Sequence, residues 1–251
     1  MKKLALSVLT LMLISCSTKK ETINNLDELL AKHFEASGAN KLKFTQSLLH
    51  RDKLLFSKDG KECTLIEVRV RKPNMYYYKA IEAEDTLIYA NNSKYNWIYS
   101  QGEYNQRPTE SYSNNYNMYA YGFSALFFSS LNNWKMEYQG KEKFNNKELY
   151  RVKVIQLESG NTGRDSVYYY DIDPDTYLIA RVVNNGTAQY FSDYKEVKGI
   201  KYASRISSDY KENNGESFFL GTIEEFQIDP ELPDILFEPS GSILKKTGKV
   251  K

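Results

Sequence analysis

The sequence predicts an α+β domain, one large antiparallel sheet that curls, with a helix laid against it. Three observations predict it. From Thr45 onward apolar and polar residues alternate with a period near two, turn signals recur at short intervals, and only one stretch, near the start, carries a strong helical period.

That stretch comes first. Leu26, Leu29, Leu30, His33 and Phe34 stand at i, i+3, i+4, i+7 and i+8, so they form one apolar stripe. Asn25 is placed as N-cap, Asp27 and Glu28 occupy the first turn, and Gly38 is placed to stop the helix. His33 lies on the stripe, and a lone histidine there reads as a satisfied core residue rather than a ligand.

The strands follow. Ile66, Val68 and Val70 alternate with Glu67 and Arg69, and Tyr150, Val152 and Val154 alternate with Arg151 and Lys153. Lys58-Asp59-Gly60, Asn91-Asn92, Gln101-Gly102, Asn145-Asn146, Ser159-Gly160-Asn161, Asp173-Pro174-Asp175, Asn184-Asn185-Gly186, Lys198-Gly199 and Asn213-Asn214-Gly215 punctuate the runs. Roughly ten to twelve hairpin-linked strands result. Tyrosine and phenylalanine, 21 and 12 of them, supply buried area in a sheet. The meander is interrupted once, at residues 122–131, where Phe123, Phe127 and Leu131 stand at i, i+4 and i+8 beside Leu126 and Phe128. A short helix fits there, either packed into the core or acting as a movable plug over an apolar cavity.

The N-terminus has a separate logic. Lys2 and Lys3 precede an apolar run from Leu4 to Ile14, interrupted by Ser7 and Thr10. Eleven residues are too few to cross a bilayer, which takes about 20; they have the form of a secretory signal peptide. The exit, Leu13-Ile14-Ser15-Cys16, resembles the bacterial lipobox, which implies cleavage after residue 15 and lipid attachment at Cys16. One acyl chain holds a protein marginally on a membrane, and two or more hold it stably. Residues 16–25 then read as an acylated, polar tether, residues 26–240 as a single folded domain, and residues 241–251 as a basic C-terminal tail. Ser17, a residue other than Asp after the cysteine, points to the outer membrane by the rule of enteric bacteria.

Cleavage removes two lysines and takes Lys plus Arg from 34 to 32, against 32 acidic residues. The mature chain is neutral and has no electrostatic footprint for nucleic acid.

The C-terminal half, YYYDIDPDTYLIARVV, YFSDYKEVKGIKYASRI and GTIEEFQIDPELPDILFEPSG, resembles the bacterial outer-membrane lipoprotein-sorting (LolA/LolB-like) superfamily. Asp173, Pro174, Thr176, Leu178, Ile179, Arg181, Asp193, Tyr194, Val197, Gly199, Asp234 and Phe237 carry the match, which extends over most of residues 26–240. Ala203 stands where that family usually has Pro, and Asp229 where many members have Asn. The resemblance implies an unclosed antiparallel β-barrel of about eleven strands, with helices filling the mouth and an apolar cavity between them. It implies a periplasm-facing lipoprotein of the outer membrane, a monomer without cofactor or catalytic activity, that binds acyl chains or another hydrophobic ligand. Tyr95, Trp97, Tyr99, Phe123, Leu126, Phe127 and Phe128 are the cavity candidates; the alternative is an envelope lipoprotein with a structural or interaction role and a self-filled cavity.

Enzyme signatures are weak. His33 and His50 are the two histidines, no His/Cys pair has metal-ligand spacing, and no nucleophile-elbow, P-loop or dinucleotide motif occurs. A Cys63–His50 nucleophile pair is conceivable, but Cys63 reads better as a partly buried thiol. Glu224-Glu225 and the Asp171/Asp173 pair read as hydrated acids on an edge or turn.

Overall fold

The computed structural model describes residues 23–57, 61–71, 75–83, 85–92, 94–108, 126–127, 134–156, 166–208, 211–212, 215–216 and 218–238. The expected signal peptide, Cys16, most of the tether, Phe123, Phe128, the tail from residue 241 and the side chain of Tyr95 lie outside the described residues.

Helix α1 (Leu26–Ser37) is capped as the sequence predicts. Asn25 Oδ1 accepts from the Glu28 amide at 2.9 Å, and Gly38 sits in the left-handed region with φ 68°. A single 3-10 turn, Ala39–Lys43, leads to the strands: β1 (Ser47–Leu55), β2 (Cys63–Arg71), β3 (Met75–Glu82), β4 (Asp85–Asn92), β5 (Tyr95–Ser100), β6 (Glu103–Pro108), β7 (Lys135–Phe144), β8 (Lys147–Gln156), β9 (Ser166–Ile172), β10 (Ile179–Asn184), β11 (Thr187–Val197), β12 (Ile200–Ser208), β13 (Lys211–Glu212), β14 (Gly215–Glu216) and β15 (Phe219–Ile228).

Thirteen of these make one antiparallel sheet in the order β6-β5-β4-β3-β2-β1-β15-β12-β11-β10-β9-β8-β7, and β13 pairs with β14 separately. The edges β6 and β7 do not pair with each other, so the sheet is unclosed. That is two strands more than the eleven expected, in the expected class. Besides α1, Leu126 and Phe127, from the expected second helix, are helical and buried.

The hairpin turns follow from their residues. Gln101-Gly102, Asn145-Asn146, Asn185-Gly186 and Lys198-Gly199 all have positive φ at both central positions, the geometry that a two-residue hairpin loop of the I′ type requires. The Asp173-Pro174-Asp175 turn closes on itself: Asp173 Oδ1 accepts from the amides of Asp175 at 2.8 Å and Thr176 at 3.2 Å. Lys147 Nζ holds the other carboxylate oxygen at 2.5 Å.

Two contacts dock α1 on this scaffold. His33 is fully buried and its Nδ1 lies 2.8 Å from the carbonyl oxygen of Tyr177, at the foot of the Asp173 turn, so Nδ1 carries the proton and donates. Burial lowers the pKa of His33 to about 4, and the bond to Tyr177 only partly opposes that. Just past the last turn of the helix, a Cβ built on Gly38 would stand 1.9 Å from the carbonyl oxygen of Gly199. Helix stop and strand turn therefore approach through two glycines. Beyond the docking contacts, Leu29 and Leu30 pack with Tyr150, Val152, Val154, Tyr170, Ile172, Val182 and Ile206 from β8 to β12.

The opposite face of these strands holds the finding least foreseen. Asp171, expected as a hydrated acid, is fully buried and receives both Arg151, Nε to Oδ1 at 2.7 Å, and Arg181, Nε to Oδ2 at 2.6 Å. Register explains it, since Arg151 and Arg181 are its direct cross-strand partners on β8 and β10. Arg181 also stacks on Phe144 at 4.3 Å. A carboxylate removed from water is tolerated because two guanidinium groups compensate it.

Gly38→Ala adds both left-handed strain and a clash with backbone, and the expected cost is roughly 3–5 kcal/mol in urea unfolding; a loss below about 1 kcal/mol would contradict the close approach. His33 supplies a second test. Its folded pKa lies below its unfolded value, so the unfolded chain takes the proton first: stability is full above about pH 6.5 and falls as pH drops toward 4. Between pH 7 and 4.5 the wild type should lose roughly 2–3 kcal/mol more than His33→Gln, and equal losses would show that His33 is not buried neutral.

Candidate functional site

The candidate site lies on β1 to β5, on the sheet face that α1 also packs against. In β1 the residues in phase toward this face are Leu48, His50, Asp52 and Leu54. His50 stands opposite Phe226 and Val68, and its row continues through Tyr78 and Tyr89 to Ile98. Asp52 stands opposite Ile223 and Ile66, followed by Ala80 and Leu87. Ile66, Val68 and Tyr76 form a buried cluster here with Leu54, Val70, Tyr78, Ala80 and Tyr89, made of strand residues without any from α1. The helix serves the other half of the sheet.

One polar pair interrupts this apolar wall. His50 Nδ1 and Asp52 Oδ1 are 2.9 Å apart, and the two residues are 3% and 5% exposed. Burial pushes the phenol of Tyr78 upward, and Tyr89 and the Asp52 carboxylate push it the same way, so it stays a neutral hydrogen-bonding group. The arrangement is a buried apolar row with a few fixed polar groups, the composition that a site for a small hydrophobic molecule usually has. His50 and Asp52 were not singled out in the sequence as a pair. The available signal was their phase: in SLLHRDKLL they share the alternation of Leu48 and Leu54.

The sheet divides the expected cavity set. Phe127 packs with Tyr202, Ile223, Phe226 and Ala39 on the helix face, with its ring edge-on to Phe34 at 5.6 Å. Leu126, fully buried, joins the α1 cluster. Trp97, in contrast, is aligned with Ala90, Tyr77, Arg69 and Leu49, the row adjacent to that of His50, and so belongs to the opposite face. Tyr99 shares its face, and both rings contact Tyr104. Tyr95 has the same phase on the backbone of β5.

That opposite face is closed by the chain's own end. Leu49 and Met75 pack with Leu232 and Phe237, the latter in the short 3-10 helix Asp234–Phe237. Arg69 donates to the Leu236 carbonyl at 3.1 Å and Arg71 to the Leu232 carbonyl at 2.5 Å, while Arg71 also pairs with Asp234. Asp234 and Phe237 thus act as a clasp. Asp229 adds another, accepting from the amides of Gln46 at 2.6 Å and Ser47 at 3.1 Å, which fixes the start of β1.

One catalytic pairing considered from the sequence can be placed. Cys63, a free thiol, is opposite Leu55, five positions along β1 from His50, which is about 16 Å at 3.3 Å per residue, and on the other face. They are not a nucleophile pair. Among the described residues no group of three His, Cys, Asp or Glu could hold a metal ion.

No family model matches the chain, and no curated protein matches it in sequence. Solved structures do. A DUF1329 family protein from Desulfovibrio piger aligns at 14% identity and TM-score 0.54, over 84% of this chain and 98% of its own. A LolA superfamily protein from Nitrosomonas europaea aligns at 9% identity and TM-score 0.53, over 86% and 99%. A domain from Vibrio parahaemolyticus, named for outer-membrane lipoprotein sorting, aligns at 10% identity and TM-score 0.51, over 87% and 97%. The unclosed antiparallel sheet with α1 docked on it is the LolA-like fold.

Proposed function

We propose that this chain is a membrane-anchored, noncatalytic lipoprotein that binds acyl chains or another hydrophobic ligand, in lipid or lipoprotein transport at the cell envelope. The observation that carries the reading is the apolar cluster around Ile66 and Val68, built by strands among the described residues, on the helix face but outside the territory of α1. In support, the LolA superfamily protein and the domain named for lipoprotein sorting share the fold. The ligand's apolar body would lie on β2 to β4, and His50, Asp52 and Tyr78 would face its polar end. Lipid attachment at Cys16, a periplasm-facing site at the outer membrane and a monomeric state belong to the same reading, as do the tether at residues 16–25 and the single domain at 26–240.

One observation favours the alternative of a self-filled cavity. Val68, at the centre of the cluster, has no exposed surface, and Ile66 has 5%. A fluorescent fatty acid separates the two readings. Wild type should bind it, and Ala80→Trp, which fills the wall between Ile66 and Leu87, should weaken binding at least tenfold while shifting the melting temperature by only a few degrees. A wild type that never binds the probe, or a large loss of melting temperature in Ala80→Trp without any effect on binding, would favour the self-filled cavity.

A further inference from the structure

The first half of the sheet sorts its charges by face. The basic residues of β1 to β3, Arg51, Lys53, Arg69, Arg71 and Lys79, all share the phase of Leu49 and Trp97 on the outer face. Acids on that side meet them: Arg51 donates to Glu67 at 2.8 Å and pairs with Glu225, Arg69 pairs with Glu67, and Arg71 pairs with Asp234. The helix face is built differently. Among the described residues of β15 and β1 to β5, no lysine or arginine has its phase; besides tyrosines, its ionisable groups are His50 and Asp52 in the interior and Glu82 and Asp85 at the exposed ends of β3 and β4.

The interior pair sets the charge that a ligand's head would meet. His50 Nδ1 and Asp52 Oδ1 are 2.9 Å apart, and both residues are shielded from water. A neutral imidazole beside the carboxylate leaves the pair with one negative charge, and one further proton on either residue brings it to zero. Neither state is positive. The Asp52 carboxylate also reaches beyond the pair: after burial and Tyr89, it helps push the phenol of Tyr78 upward. Tyr78 and Tyr89, with ring centroids 6.0 Å apart, add hydroxyls that can donate hydrogen bonds without adding charge. A carboxylate brought onto this row would face a second carboxylate with no cation of the same face to offset it, and like charges held close in a site of low dielectric oppose each other's ionisation. An ester brings a carbonyl oxygen, which a phenol can satisfy.

We propose that the site prefers an acyl chain with an uncharged ester head over the free fatty-acid anion, and that Asp52 is the residue that sets this preference. The inference rests on the reading of the helix face of β1 to β4 as a hydrophobic-ligand site. It narrows the ligand class within that reading: a fatty acid still binds through its chain, more weakly than its ester.

The test titrates the purified protein at neutral pH with dansyl-labelled undecanoic acid and with its methyl ester. The ester is also the more hydrophobic molecule, so the preference is read against Asp52→Asn, which keeps an oxygen for His50 to donate to and removes the charge. The ester-over-acid preference of wild type should exceed that of Asp52→Asn at least tenfold, with the change in the affinity for the acid. A dansyl-labelled alkylammonium of the same chain length makes the comparison without any substitution, should Asp52→Asn misfold: it is charged like the acid but with the opposite sign, and it should bind wild type at least threefold tighter than the acid. Equal preference in wild type and folded Asp52→Asn, or an acid that binds wild type as tightly as the ammonium probe, would overturn the selectivity and leave the hydrophobic-ligand reading standing. No binding of any of the three probes would overturn that reading and the selectivity together.

Discussion

The insertion of β15 between β1 and β12 is the constraint on which the rest of this structure depends. β1 to β6 form one hairpin meander and β7 to β12 another, and among the described strands only β15 pairs with both, through Leu48–Leu55 on one side and Arg205–Ser208 on the other. The partners Leu55 and Leu220 are far apart in sequence, so the apolar wall of β1 to β4 and the helix-covered half become one sheet only after the last strand is in place. Closing so long a loop costs more chain entropy than closing any of the hairpins. The clasps around it make sense in that light. Asp229 ties the end of β15 to the start of β1, and Arg69 and Arg71 draw the following segment across β2.

The two halves solve the same burial problem differently. The second half is thick: α1 covers one face, and the other carries the Arg151–Asp171–Arg181 cluster, which fixes three strands laterally with charge-assisted hydrogen bonds. The first half gives its outer face to the C-terminal segment, and among the described residues its helix face packs strand side chains. An apolar cluster that α1 does not cover is where a hydrophobic ligand can substitute for protein. The asymmetry, rather than any single residue, is what the binding proposal stands on.

Local physics was legible in the sequence and long-range pairing was not. The Asn25 cap, the Gly38 stop and the turns at Gln101-Gly102, Asn145-Asn146, Asn185-Gly186 and Lys198-Gly199 follow from residues that favour those backbone angles wherever they occur. The face that Trp97 occupies does not, because alternation says only that Trp97 and Tyr99 share a face; which face depends on register carried across β4, β3 and β2 to β1. Asp171 was misjudged for a related reason. Its phase is opposite to Tyr170 and Ile172, which reads as solvent until Arg151 and Arg181 arrive from neighbouring strands. The resemblance of the C-terminal motifs was sound as a statement of fold, since Asp173 and Gly199 act at the docking sites of α1, and Asp234 and Phe237 act in the clasp on the outer face.

Native mass spectrometry of the mature protein, purified with whatever co-purifies from the envelope, tests the central claim most directly. A hydrophobic ligand on the wall of β1 to β4 predicts a protein peak displaced by one acyl-chain-bearing molecule per chain, beyond the mass of the covalent lipid on Cys16, and lost on gentle activation. A spectrum that holds only the unliganded mass, before and after incubation with excess fatty acid, would contradict it.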